Sequence, residues 1–243
     1  MLKYNIKRLL NRFFYTQKNR NFVLNKKDIL KSKKFWILVG LFIMPLVFYI
    51  LLLTGTNNFA KLPVLNKSIG NVTDFKNSTG TSITLDDKIT ILCFLGNDLG
   101  SVKNNALNLN EKIYKHFYKF KDFQFVVVLQ EGSSSQAREL VKQLKVTTDM
   151  QKWNFVYGNQ KQIENLFKSL NTNLDIDANG YSPYAFIIDK NKHLRGRTDD
   201  EDNGLMYGYN AETVAPIHGK MVDDVKVLIA EYRLALKKNN REI

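Results

Sequence analysis

The sequence predicts an α/β domain built on a central mixed sheet and preceded by a single N-terminal transmembrane helix. Three observations predict it. Phe35 to Leu53 is a run of nineteen residues without a charge, FWILVGLFIMPLVFYILLL. Beyond it, short apolar runs alternate with stretches whose apolar residues recur at spacings of three and four, the pattern of strands alternating with amphipathic helices. The last two strand runs are separated only by Asp189-Lys190-Asn191-Lys192, a turn, and one helical stretch follows them. Such a hairpin after βα units requires a sheet with both parallel and antiparallel pairs.

At about 1.5 Å per residue the uncharged run is long enough to cross a hydrocarbon core near 30 Å. Lys33 and Lys34 abut its start, whereas Thr54 to Asn58 are uncharged, which sets the tail on the cytoplasmic side by the positive-inside rule. Pro45 lies within the run, and membrane helices tolerate such a kink. A cleavable signal peptide would have a shorter apolar core and a small-residue cleavage site, neither of which is present. The formal net charge of +13 is located in the tail: residues 1–35 carry eleven Lys and Arg against Asp28, which is +10 of the +13 and leaves +3. Nucleic acid is therefore disfavoured as a partner. In the tail, Leu2, Ile6, Leu9, Leu10, Phe13 and Phe14 share one helical face opposite Lys3, Lys7, Arg8 and Arg12. Such a face suits anionic lipid, while the same residues also serve as a plain topology signal.

The expected organisation is a basic cytoplasmic tail (1–34), a transmembrane helix (35–53), a tether with early strands (54–81) and the main folded body (82–243). Within the tether, Leu62-Pro63-Val64-Leu65 is the compact apolar cluster. Ile89 to Leu95 reads as a buried strand, followed by a helix carrying Ala106, Leu109, Ile113, Phe117 and Phe120. Phe123 to Leu129 is a second strand, and Ser134 to Leu144 a helix opened by serines suited to capping. Trp153 to Tyr157 is a strand and Gln160 to Leu170 a helix; Tyr184 to Asp189 and His193 to Arg197 form the hairpin. Val222, Val225, Ile229, Tyr232 and Leu236 mark the closing helix, giving the order βαβαβαββα.

This order, with Ser182-Pro183 directly before the strand PYAFIID, resembles the thioredoxin-like superfamily from Leu62 to about Lys238. The single anchor, the Leu62-Pro63-Val64 entry and the hairpin IIDKNKHLRGR are most similar to the Sco/SenC copper chaperones of cytochrome oxidase assembly. The resemblance implies a bacterial inner-membrane protein with its domain in the periplasm, and components of a respiratory oxidase as partners besides membrane lipid. It also implies that Pro183 corresponds to the superfamily's proline, commonly cis. Redox members place cysteines after the first buried strand, where a helix N-terminus lowers the thiol pKa. Here that place reads Phe94-Leu95-Gly96-Asn97-Asp98-Leu99-Gly100-Ser101, without sulfur. The one cysteine, Cys93, falls inside the strand. A Sco-type copper site also uses a histidine eight residues before the aspartate that ends the strand; counting back from Asp189 reaches Tyr181. A single cysteine excludes an intramolecular disulfide and a CxxC pair.

Other catalytic signatures, including a Walker loop, GxGxxG, HExxH and GxSxG, do not occur. His116, His193 and His218 are not spaced for ligation on one helix face. Thr198 to Lys220 is a long insertion between hairpin and last helix, with Asp199-Asp200-Glu201-Asp202 followed by Leu205, Met206, Tyr207 and Tyr209. Exposed aromatics beside charge make interface anchors and hard carboxylates make a weak cation site, whereas the plain alternative is a solvated acidic loop with its aromatics tucked against the sheet. The expected function is a redox-inactive binding or assembly factor without a cofactor. Its contact residues are Gly96, Asn97, Asp98, Leu99, Gly100 and Ser101, with Tyr181, Ser182, Pro183 and Tyr184, and Met206, Tyr207 and Tyr209. The alternatives are a copper- or thiol-handling protein using a non-standard site, built on Cys93, His218 and the acidic loop or completed by a second subunit, and a structural subunit of an unrelated membrane complex.

Overall fold

A computed structural model of the chain describes residues 33–54, 61–77, 80 and 82–239. The expectations for the basic tail, including its amphipathic face, lie outside the described residues. The chain divides into two compact units, 1–58 and 59–243. In the first, α1 (Lys33–Thr54) extends the uncharged run by two residues at the start and one at the end. Its large apolar side chains are exposed, Trp36 by 62% and Leu53 by 66%, and the helix is long and apolar enough to cross a membrane.

In the second unit the elements are β1 (Val64–Asn66), β2 (Lys76–Asn77), β3 (Ile89–Gly96), α2 (Leu99–Leu109), β4 (Phe123–Gln130), α3 (Ser134–Leu144), β5 (Trp153–Gly158), α4 (Gln160–Ser169), β6 (Tyr181–Ile188), β7 (Leu194–Arg195), β8 (Arg197–Asp200), β9 (Gly204–Met206), β10 (Tyr209–Asn210) and α5 (Val222–Asn239). The sheet order is β1-β7-β6-β3-β4-β5-β2, with β10 also on β6. β3, β4 and β5 run parallel, while β6 is antiparallel to β3 and β7 antiparallel to β6. Period-two alternation divides the core between the two faces of the sheet. Ile91, Cys93 and Leu95 of β3 join Phe125 and Val127 of β4 on the face covered by α2, α3 and α5. Leu92 and Phe94 join Val126 and Val128 on the other face, under Ile163, Leu166 and Phe167 of α4.

The structure corrects several sequence expectations. α2 passes into a π turn (Asn110–Tyr114) and one α turn (Lys115–Phe117), so Phe120 falls beyond the helix. Ser133 caps α3 without a side-chain bond, because the chain enters through a turn at Gly132, φ +95. β6 starts at Tyr181 rather than Tyr184, taking Pro183 into the strand. Proline is tolerated there because the β3 register is irregular between Cys93↔Ala185 and Leu95↔Tyr181. The Ser182–Pro183 peptide is trans.

The second hairpin strand is the two-residue β7, not His193 to Arg197. It ends because Gly196 passes against Met206, whose carbonyl oxygen lies 2.3 Å from where a Cβ would stand. The long insertion is folded, not an open acidic loop: β8 and β9 form a hairpin and β10 returns to β6. Met206 and Tyr209 are buried, so neither is an exposed anchor.

The chain enters the domain through a charged network that closes one end. Leu62 N–H donates to Glu231 Oε1 (2.6 Å), and its carbonyl accepts from Arg195 Nε (2.9 Å). Arg195 also pairs with Asp189 (2.9 Å) and Glu231 (2.6 Å). One guanidinium thus joins the entry segment, the end of β6 and the last helix.

Candidate functional site

Two neighbouring features occupy the end of the sheet where the parallel strands terminate. The first is the turn from β3 into α2. Gly96 has φ +67, and a Cβ there would stand 2.7 Å from the Asn179 carbonyl oxygen and 3.2 Å from Tyr181. A left-handed conformation and this close approach both require glycine. Asp98 then caps α2, its Oδ1 accepting from Ser101 N–H at 3.4 Å, while Leu99 N–H donates to Gln136 Oε1 of α3 at 2.9 Å. Two donors of this helix N-terminus are therefore engaged by the protein's own oxygens, one of them a carboxylate.

Tyr181 stands beside this turn as the first residue of β6. Its hydroxyl donates to Glu212 Oε1 (2.8 Å) and accepts from the buried Asn105 of α2 (2.9 Å). Desolvation first, and then the hydrogen bond to the Glu212 carboxylate, push its pKa up to about 12. This clamp joins α2, β6 and the segment after β10, and an isolated tyrosine carries no sequence signal for it. Ser182 is 2% exposed, and its Oγ has no hydrogen-bond partner among the described residues.

The outer edge of β6 is filled by the chain itself. β10 pairs with Tyr184 and Ala185, and Ala211 N–H donates to the Pro183 carbonyl at 2.8 Å. An extended peptide has no free backbone edge at Pro183, so recognition here must rest on side chains. Beside this edge lies the second feature, a cleft of 310 Å³ that brings together Tyr184, Leu205, Met206, Tyr207 and Tyr209. Asn173, Asn203 and Asn210 supply amide groups, and among the described residues the lining holds no charged side chain. Tyr184 and Tyr207 are half-buried and Leu205 is 44% exposed, so these three face solvent. The turn residues Gly96 to Ser101 do not line this cleft, and Leu99 is buried against α3.

Beneath the cleft, buried charge holds the insertion in place. Tyr209 hydroxyl donates to Asp224 Oδ2 (2.6 Å), and Arg197 grips the same carboxylate at 2.7 and 3.0 Å. Asp200 turns inward from the acidic run and accepts from Lys220 Nζ at 2.8 Å. That bond, with those from Asn203 and the backbone, lowers its carboxyl pKa to about 2. A group whose pKa is lowered on folding stabilises the fold above its unfolded value and loses that contribution as pH falls through the folded one. The hairpin should therefore lose stability between about pH 4 and pH 2. Asp200→Asn should flatten this part of the acid limb in a pH titration of unfolding.

The remaining sequence candidates are dispersed. Cys93 is 3% exposed, and burial pushes its thiol pKa up. That is the opposite of an activated nucleophile. His193 Nδ1 lies 3.3 Å from Asp189, while His116 and His218 are exposed on helical turns far apart in sequence.

The strand order decides the architecture: a central β3 feeding α2, parallel β4 on one side, antiparallel β6 and β7 on the other, and a covering C-terminal helix. The fold is thioredoxin-like. No family model and no curated protein matches the chain. Among solved structures, Sco/SenC-family and thioredoxin-like proteins are its neighbours. A SCO1/SenC family lipoprotein from Bacillus anthracis aligns at 18% identity and TM-score 0.49, over 70% of this chain and 99% of that one. BsSco, a member of the Sco family of cytochrome c oxidase assembly proteins, aligns at 13% and 0.47, over 70% and 98%. The thioredoxin domain of a thiol-disulfide oxidoreductase from Bacteroides vulgatus aligns at 14% and 0.38, over 56% and 86%. At these identities the thioredoxin-like assignment rests on strand order and pairing.

Proposed function

We propose that the protein is a membrane-anchored, Sco-like binding and assembly factor that performs no disulfide exchange, with its N-terminus in the cytoplasm and its domain in the periplasm of a bacterial inner membrane. The observation that carries this reading is the turn at Gly96 to Ser101. In the redox members that the sequence resembles, this position holds cysteines, whereas here it holds none and the helix N-terminus is capped by Asp98 and Gln136. The single thiol, Cys93, is sealed in the core three residues before this turn. The fold is retained, and the surface it offers is the uncharged cleft around Tyr184, Leu205 and Tyr207, whose aromatic and amide groups suit a polypeptide segment. The similarity of the anchor, Leu62-Pro63-Val64 and IIDKNKHLRGR to Sco proteins points to a respiratory oxidase or its assembly pathway as the partner.

The test is gentle solubilisation of native membranes containing the C-terminally tagged protein, with co-purifying proteins quantified by mass spectrometry. Oxidase or oxidase-assembly components should accompany the wild type in stoichiometric amount and fall at least about tenfold with Tyr207→Ala or Leu205→Asp, as expected for interface anchors. A different envelope complex, or recovery unchanged by both substitutions, would sink this reading.

A further inference from the structure

We propose that a basic cleft at the opposite end of the domain binds acidic phospholipid headgroups of the membrane that holds α1; the inference rests on reading α1 as an anchor. The cleft, 520 Å³, lies between the connection from α2 to β4 and the outer face of α5. Its rim carries Lys119, Lys121, Lys226 and Arg233, all exposed, and its floor is formed by Phe120 and Ile229. The Arg233 guanidinium stands 5.7 Å from the centre of the Phe120 ring. Cations whose stems lie along apolar and aromatic surface match the boundary between headgroup and acyl chain.

Of the four rim cations only Lys226 is paired with a carboxylate among the described residues. Among the described residues no carboxylate lines the cleft. Asp223 pairs with Lys226 at 2.9 Å, and Asp122 is taken by Lys190. Among the described residues no carboxylate pairs with Lys119, Lys121 or Arg233. A further cation, Lys152, donates to the Phe120 and Lys121 carbonyls behind the rim. The body as a whole is nearly neutral, so this is a local concentration of positive charge.

Chain length selects lipid over a soluble acidic partner. Leu62 is fixed to α5 through Glu231, the residue next to Ala230 of the cleft lining. Seven residues lie between Thr54 at the end of α1 and Leu62, eight steps of chain that span at most about 29 Å. Anchoring on so short a tether keeps headgroups at high effective concentration around this end. β4 begins beside Lys121 and ends at Gln130, so this cleft and the cleft around Tyr207 lie toward opposite ends of the sheet.

The experiment uses the full chain with Cys93→Ser and a fluorophore on Ala230→Cys, reconstituted into vesicles carrying headgroup-attached quencher. Vesicles are of phosphatidylcholine alone or mixed with phosphatidylglycerol. A second label on Ser135→Cys, beyond the far end of β4, is the control. The expected result is quenching at 230 but not at 135 in phosphatidylglycerol vesicles only, lost at about 0.5 M salt. Lys119→Gln with Lys121→Gln and Arg233→Gln should abolish it, while the salt response of the wild type needs no variant. Equal signals in both vesicle types would overturn the proposal. So would a label at 230 that responds to poly-glutamate and not to phosphatidylglycerol, which would indicate an acidic protein partner. A chain that does not float with either vesicle would instead refute the anchor.

Discussion

Arg195→Leu lowers the stability of the folded domain by about 3–5 kcal/mol, read from denaturant unfolding in detergent. The arginine side chain is 8% exposed and joins three elements distant in sequence: Leu62 at the entry, Asp189 at the end of β6 and Glu231 on α5. A buried ion pair adds little net stability by itself, since desolvation offsets most of the attraction, but removal of one member leaves the other charged and unpaired. Asp189, 1% exposed, keeps its bonds from the Asn191 and His193 N–H groups and loses its cation. The Leu62 carbonyl loses its donor as well. Arg195→Leu combined with Glu231→Leu should cost less than the sum of the two single substitutions, because the second removes one of the stranded charges. Additivity would mean that the network is not coupled.

Gly96→Ala should destabilise by about 2–5 kcal/mol, combining a left-handed backbone penalty with overpacking. The contact is with the Asn179 carbonyl at 2.7 Å, a backbone atom that cannot rotate away. Either the turn into α2 or the start of β6 must shift, and both carry the Tyr181 clamp to Asn105 and Glu212. Gly132→Ala is the contrast: φ is +95 but nothing lies within 4 Å, so the backbone penalty stands alone. Equal losses for the two substitutions would show that the Asn179 contact is relieved without cost.

What the sequence made legible was local. FQFVVVL in β4 is buried on both faces, because a central parallel strand needs no polar side, and its composition says so directly. The spacing of Ile163, Leu166 and Phe167 likewise specified the buried side of α4. The missing sulfur at Gly96 to Ser101 was also plain to read. What stayed hidden was pairing over distance. Four acidic residues in succession read as solvated, yet Asp200 turns inward because Lys220, twenty residues on, reaches it. Tyr209 looked like an interface anchor until Asp224 gave its hydroxyl a buried partner. The role of Ala211 in filling the β6 edge has no side-chain signature at all, since it is a backbone bond.

The central claim is that this thioredoxin-like protein works by binding and not through its thiol. The most direct measurement combines titration of Cys93 in the folded protein, using a thiol reagent and Cu(I) in parallel, with the effect of Cys93→Ser on oxidase co-purification. The account expects no thiol reaction until unfolding, no stoichiometric copper that depends on Cys93, and unchanged recovery of the partner from the variant. Rapid modification of the native thiol, or one equivalent of Cu(I) lost together with partner recovery in Cys93→Ser, would contradict it.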